Sequence, residues 1–293
     1  MILVIDTVNK MAIKILTDSS SDLTKEQAKQ LNVELLAMPI TFGLEEYYDG
    51  EDLSKEEFYN KLVASGEVAR TSQITPFRYE EAMQKIVDNG DVALVITLSS
   101  KLSATYQSAI SASEKFGDKV RVVDSLNASS GVKVLIEYAL RLIESGKDID
   151  EIVALVEENK KRVQISAVVD TLTYLQRGGR ISKAVAIAGS ILKIHPVVAV
   201  LDGEVKVVGK AMGTKKSNAL LNQLLKERGG LDYSMPTTFI YAGNDKTLLN
   251  KYKEDSKDFF EIDYNLIPDT QIGATIGTHV GPGTVGIAGF KKI

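Results

Sequence analysis

The stretch VALVITLSSKLSATYQSA, residues 92–109, decides how the rest of the chain is read. Residues 92–98 form an apolar run rich in β-branched side chains, of the length expected for a strand buried on both faces. The chain then passes through Ser99, Ser100 and Ser103 into Tyr106, Ala109, Ile110 and Ala112, which recur at helical spacing. A strand that ends in hydroxyls just ahead of a helix gathers Ser oxygens and unpaired backbone N–H groups in one small volume. The positive end of the helix dipole faces the same spot, so a carboxylate or phosphate is the natural guest. A plainer reading, Ser103 as an ordinary N-cap, stays open at this point.

Working outward, the N-terminal half alternates strands and helices. Residues 13–16 form a short strand running into Thr17-Asp18-Ser19-Ser20-Ser21-Asp22. Thr24 with Gln27 is a capping box and predicts a helix through Leu31. Residues 33–40 read as a second strand. After a polar loop, Ser54 with Glu57 predicts another box-capped helix, with Gly66 as its C′ glycine. Arg70-Thr71-Ser72-Gln73 reads as a loop, and Thr75-Pro76 opens the next helix with Pro at its first position. The strand at 92–98, its helix and a strand at 120–123 follow. Such alternation predicts an α/β domain, a parallel sheet with helices on both faces. Ligands of such sheets sit beyond the carboxyl ends of the strands. Those ends carry Thr17-Asp18-Ser19, Ser99-Ser100 and Asp124-Ser125.

Residues 128–144 and 150–161 read as long amphipathic helices closing this half, and then the pattern changes. A strand at 164–169 precedes short helical pieces around Arg177-Gly178-Gly179-Arg180. Segments 196–201 and 204–208 flank Asp202-Gly203, a two-residue hairpin signal. A helix at 215–226, a strand at 237–242 and a helix at 246–255 complete a C-terminal α+β domain with antiparallel pairing. The domain boundary is placed near Arg162, giving residues 1–162 and 163–293.

A chain of 293 residues is long for one core and comfortable for two. Its net charge of −4, with no basic aromatic-studded stripe, argues against a nucleic-acid partner. Cysteine is absent, which excludes disulfides and thiolate metal sites and fits the reducing cytoplasm, the location expected. No apolar run reaches the length of a membrane span, so no transmembrane segment is expected. MILVIDTVNK lacks the features of a signal peptide. Met11 begins MAIKILTDSSSDL, which reads as a natural start, with residues 1–10 as an upstream extension.

Gly281-Pro282-Gly283-Thr284-Val285-Gly286 matches G-x-G-x-x-G by letter, but the seven residues that follow leave no room for the helix, strand and acidic residue of a dinucleotide site. There is no Walker A sequence and no G-x-S-x-G elbow. Of the two histidines, His195 precedes Pro196 at a strand start and reads as structural. His279 lies in a segment crowded with glycines, read as a loop that lets backbone approach a ligand or another chain closely; it is a site candidate, with a satisfied loop histidine equally open at this point. Two separated histidines without cysteine argue against a transition-metal site; neither a metal nor a cofactor is expected.

At this point the residues carry a resemblance. TDSSSDL (17–23), TSQ (71–73), LSSKLSATYQSA (98–109), VVDS (122–125), TLTYLQRGGRIS (171–182) and IGTHVGPG (276–283) occur in an order that resembles the DegV family, nearly over the whole length from Met11. The resemblance implies a two-domain α/β protein that binds a long-chain fatty acid between its domains without turnover of its own. It implies a carboxylate held by Thr71 and Ser103 with His279 nearby, and an acyl chain in an apolar tunnel. Ser72, Ser100, Ala104 and Gly281 complete the implied ligand set, with Asp18, Ser19 and Arg180 behind it. It further implies a bacterial carrier subunit of a fatty acid kinase, whose ATP-using partner makes an acyl phosphate for phospholipid synthesis. The family often has an Arg before the Thr-Lys-Lys that opens the helix at 215, associated with that partner. Here the sequence is Met212-Gly213-Thr214-Lys215-Lys216, without that Arg.

Segments 184–192 and 196–201, apolar with small Ala and Gly, are the candidate tunnel walls, with plain hydrophobic core as the reading that comes first for any single residue there. Two other functions stand beside the carrier. A hydrolase would use Ser103 as nucleophile and His279 as base, and would need them in hydrogen-bond reach with a third group orienting the ring. A regulatory module would sense a lipid without passing it on.

Overall fold

A computed structural model describes residues 12–64, 69–187 and 194–293. The N-terminal half contains β1 (Ile13–Asp18), β2 (Glu34–Leu36), β3 (Pro39–Phe42), β4 (Glu45–Tyr48), β5 (Ala69–Thr71), β6 (Val92–Thr97) and β7 (Val120–Asp124). Four of these form a wholly parallel sheet in the order β2-β1-β6-β7. Every residue of β6 is buried, as its unbroken apolar run predicts. Helices Pro76–Asp88 and Thr105–Ser113 pack on each other and on this sheet; helices Ser130–Glu144 and Ile149–Asn159 form a second pair against it.

The C-terminal half contains β8 (Val163–Val168), β9 (Ile194–Leu201), β10 (Glu204–Met212), β11 (Thr238–Tyr241), β12 (Asp269–Gln271) and β13 (Val285–Phe290). They form one sheet in the order β10-β9-β8-β13-β11-β12, antiparallel except for β11-β12. Asp202 and Gly203 form the β9-β10 turn with φ of 49° and 83°, the left-handed pair a two-residue hairpin demands. Helices Thr214–Glu227 and Thr247–Asp255 pack on this sheet over a core built around Phe239, Tyr252 and Phe260. Helix Ser130–Glu144 packs on both large sheets, which explains why nine of its fifteen residues are buried. One continuous apolar core therefore runs from the parallel sheet to the six-stranded one.

The helix-start signals are matched in detail. Thr24 and Gln27 form a reciprocal capping box, Ser54 and Glu57 exchange the same bonds, and Thr75 accepts from the Arg78 N–H ahead of Pro76. Gly66, the predicted stop of the second helix, lies outside the described residues.

Three expectations are corrected. Residues 33–40 are not one strand: the chain leaves the parallel sheet after Leu36 and enters a second, three-stranded sheet (β4-β3-β5) at Pro39. Residues 70–71 belong to β5, because β3 offers Thr41 and Ile40 as antiparallel partners. The segment around His279 is no loop but a helix, Ala274–Val280, followed by the Gly281-Pro282-Gly283 turn into β13. With β13 at its end, the glycine pattern of 281–286 opens no helix.

Candidate functional site

The sequence of the His279 helix argues against helix on its own. It is seven residues long, with Gly277 inside it, and helices this short are marginal in water. It is held from outside. A Cβ at Gly277 would fall 2.6 Å from Phe58 Cε1 and 2.8 Å from Tyr59 Oη, so the glycine lets the helix lie directly on helix Lys55–Ala64. Its first N–H groups are received by carboxylates from the other half of the chain. Asp22 Oδ1 accepts from Gly273 N at 3.0 Å. Asp49 Oδ1 accepts from Ala274 N at 3.2 Å, and its Oδ2 from Thr275 N at 2.9 Å and Thr275 Oγ1 at 2.6 Å. Lys55 Nζ places a positive charge in this network, donating to the Asp22 and Gln271 carbonyls. Burial pushes the Asp22 carboxyl up, opposed by Lys55 and by the Ser129 and Ser130 hydroxyls that donate to it.

So anchored, His279 is buried and faces Thr71, at the end of β5, with 2.9 Å between Nε2 and Thr71 Oγ1. Its Nδ1 has no hydrogen-bond partner among the described residues and rests against Gly178, where a Cβ would come within 2.1 Å of it. Burial, aided by the Arg180 charge, lowers its pKa to about 3, so the ring is neutral at physiological pH. A buried N–H without an acceptor costs about 1–3 kcal/mol. The single ring proton is therefore assigned to Nε2, donating to Thr71 Oγ1, with a bare lone pair at Nδ1. That leaves the Thr71 hydroxyl proton free for a further acceptor. Arg180 is fixed beside the ring: Nε and Nη2 donate to the Leu102 carbonyl at 3.2 and 2.7 Å, and Nη1 to the Gly178 carbonyl at 2.5 Å.

Thr71, His279 and Arg180 line a cavity between the two large sheets that is partly open to solvent. The remaining wall is overwhelmingly apolar, including Leu98 and Leu102 from one half and Val198, Ala199 and Ile240 from the other. The expected wall at 196–201 thus contributes Val198, Ala199 and Val200. In the other expected wall, Ala184 and Val185 are exposed, and 188–192 lie outside the described residues.

The other predicted site residues sit differently. Ser103 is half-buried and does not cap helix Thr105–Ser113, whose N-cap is Ala104. Its Oγ accepts from Thr105 N at 3.2 Å and lies 2.9 Å from Thr105 Oγ1. Ser72, Ser100 and Ala104 are exposed and outside the cavity wall. Gly281 is buried with φ +72°, and a Cβ there would lie 2.2 Å from the Tyr174 ring. Asp18 is fully buried and accepts from the Ser20 and Leu98 N–H groups, tying two strand ends together. Ser19 Oγ bridges Met38 N and Thr275 Oγ1. His195 lies on β9 with Nδ1 3.6 Å from Asp170. Asp22, Asp49, Lys55 and Thr275 were not foreseen, because their partners lie more than two hundred residues away.

No helix among the described residues is long and apolar enough to cross a membrane, and no group of three or more His, Asp or Glu among them could hold a metal ion.

Comparison with known proteins brings this geometry a context. The family model described as "Uncharacterised protein, DegV family" matches residues 12–292. A DegV domain-containing protein of Clostridium perfringens is 36% identical over 289 residues, covering 93% of this chain and 95% of its own. One from Caldanaerobacter subterraneus is 33% identical over 276 residues, covering 94% and 97%. Among solved structures, a DegV family protein from Thermus thermophilus described by its fatty acid binding superposes with a TM-score of 0.85 at 28% identity, covering 96% of this chain and all of its own. DegV of Bacillus subtilis, described as a fatty acid binding protein, gives 0.80 at 27% identity, covering 96% and 100%. The chain that builds this cavity belongs to the DegV family.

Proposed function

We propose that this protein carries a long-chain fatty acid between two domains, residues 1–162 and 163–293, and has no turnover of its own. The observation that carries the reading is the cavity: a long apolar wall that meets, at one place, a threonine hydroxyl backed by a buried neutral imidazole. With Nε2–H donating to Thr71 Oγ1, the hydroxyl proton points onward to a carboxylate oxygen. Ser103, on the loop beside Leu102 and outside the cavity wall, is the second hydroxyl of this reading. A saturated chain of about fourteen methylenes at about 0.8 kcal/mol each gains on the order of 10 kcal/mol by burial, much of it offset by lost freedom. The carboxylate contacts therefore mainly set orientation. The fatty acid binding of the Thermus and Bacillus relatives supports the same ligand class.

A hydrolase reading finds less support. His279 Nε2 faces Thr71 instead of Ser103, and no carboxylate among the described residues orients Nδ1. The DegV resemblance supports an ATP-using kinase partner that phosphorylates the presented carboxylate. The missing Arg has a backbone counterpart: Gly213 has φ +80° and ψ 153°, a conformation that would strain any arginine there. Docking of that partner therefore has to use other residues.

Mass spectrometry of lipid extracted from the denatured protein tests the carrier reading, with fatty acid as the expected result. Protein that releases none, and takes none up after delipidation, overturns it.

A further inference from the structure

Resting on the carboxylate site just described, we propose that Asp49 is a positioning residue for it, acting on the ligand only through the helix Ala274–Val280 that places His279 against Thr71. Asp49 is 5% exposed and spends both carboxylate oxygens on this helix, receiving two backbone N–H groups and the Thr275 hydroxyl. Thr275 also meets Ser19 Oγ at 2.9 Å, and Ser19 Oγ accepts from Met38 N, so Asp49 closes a relay from the helix start to the parallel sheet. Charge-assisted bonds of this kind are the strong ones, and here they hold a helix too short and too glycine-rich to persist alone. Thr275 and His279 are four residues apart, on one face, so a shift at Thr275 passes to the ring one turn away. The ring has little else to hold it. Among the described residues one nitrogen has no partner, the Gly178 backbone blocks one side, and the Thr71 hydroxyl is the single hydrogen bond. Asp49 does not line the cavity, so its removal changes no ligand contact directly.

The test is Asp49→Asn in the full chain, read in two ways. In protein labelled with ¹⁵N-histidine, the two histidines give two rings, with His195 as the internal control. The wild type is expected to show His279 as the neutral Nε2–H tautomer; in D49N its signals should move toward tautomer averaging while those of His195 stay. Hexadecanoate and hexadecanol binding by delipidated protein then separates head group from tail. D49N should weaken hexadecanoate binding by about tenfold and leave hexadecanol binding unchanged. The double variant with His279→Ala should bind hexadecanoate no more weakly than His279→Ala alone. A folded D49N with wild-type His279 signals, or with both ligands weakened equally, overturns the proposal. If D49N does not fold, Asp49→Glu, which keeps the charge on a longer arm, is read by the same criteria. A wild type that binds neither ligand refutes the carrier reading, and the ring signals then decide the positioning role by themselves.

Discussion

Two regions of this molecule have the chemistry of an anion site, and only one has it to spare. The loop after β6 carries Ser99, Ser100 and Ser103 at the mouth of a helix, yet its groups are mostly committed. Ser99 Oγ donates to the Gly203 carbonyl, the Ser100 N–H meets Asp124, and Ser103 Oγ pairs with Thr105. The Thr71–His279 pair holds fewer polar atoms, but it lines an apolar cavity, and with the ring proton assigned to Nε2 the Thr71 hydroxyl keeps a proton to donate. Free hydrogen-bonding capacity, rather than the number of hydroxyls, is what makes the Thr71–His279 pair the head-group site we propose, and the serine loop a stabilised turn.

The difference can be broken with acid, where the two regions respond with opposite sign. His279 has a folded-state pKa depressed to about 3 from 6.5. Below 6.5 the unfolded state takes a proton that the folded state refuses, so stability is lost as pH falls from 6.5 toward 3. Asp18, under the serine loop, is pushed the other way, by burial above all; the cost of burying its charge is relieved as the folded protein protonates in acid. In chemical denaturation between pH 7.5 and 5, His279→Gln should remove a loss on the order of 2 kcal/mol at pH 5. Parallel pH curves for wild type and variant would show that the ring is not held neutral.

Gly178→Ala sharpens the steric side. Its φ of −74° suits alanine, so any effect comes from the Cβ that would meet His279 Nδ1. The expected cost is about 1–3 kcal/mol of stability, with fatty acid affinity falling alongside. Unchanged affinity in a fluorescent fatty acid displacement assay would mean that the ring position is not needed.

Hydroxyl deletions compare the regions directly. Thr71→Val should weaken fatty acid binding by about 1–3 kcal/mol, the range for a hydrogen bond to a charged group. Ser103→Ala should cost only about 0.5–1.5 kcal/mol, since its hydroxyl has a protein partner already. Both variants should fold. A larger loss for Ser103→Ala would reverse the ranking and move the head group into the serine loop.

The serine loop was also the easier region to read, and for a related reason. Residues 92–98 announce their strand because burial on both faces leaves an uninterrupted apolar run, and the capping boxes at Thr24 and Ser54 are local by nature. Asp202-Gly203 needs only its own two left-handed residues. The His279 helix is the opposite case. Its glycines read as a loop because its stabilisers, Asp22, Asp49 and the face of helix Lys55–Ala64, are supplied from far along the chain. Strand β5 reads as loop for the same reason, since three residues become a strand only when β3 lies beside them. Thr71 and His279 could each be picked out as motif residues; that they touch is a property of the tertiary structure.

The place of β13 in the six-stranded sheet has a consequence for how the protein comes into being. This strand is the latest in the sequence, yet it lies between β8 and β11, near the middle of the sheet. During synthesis, at about 5–20 residues per second, β8 to β10 can pair early, but β11 and β12 have no place to dock until residues 285–290 emerge. Helix Ser130–Glu144 leans on β8, β11 and β13, so its seat on the six-stranded sheet is completed only then. The part of the cavity wall on β11, Ile240, therefore closes after the parts on β8 and β9. A substitution such as Gly286→Val, whose Cβ would sit 2.2 Å from the Ser166 carbonyl, would be felt first as a shortage of folded protein.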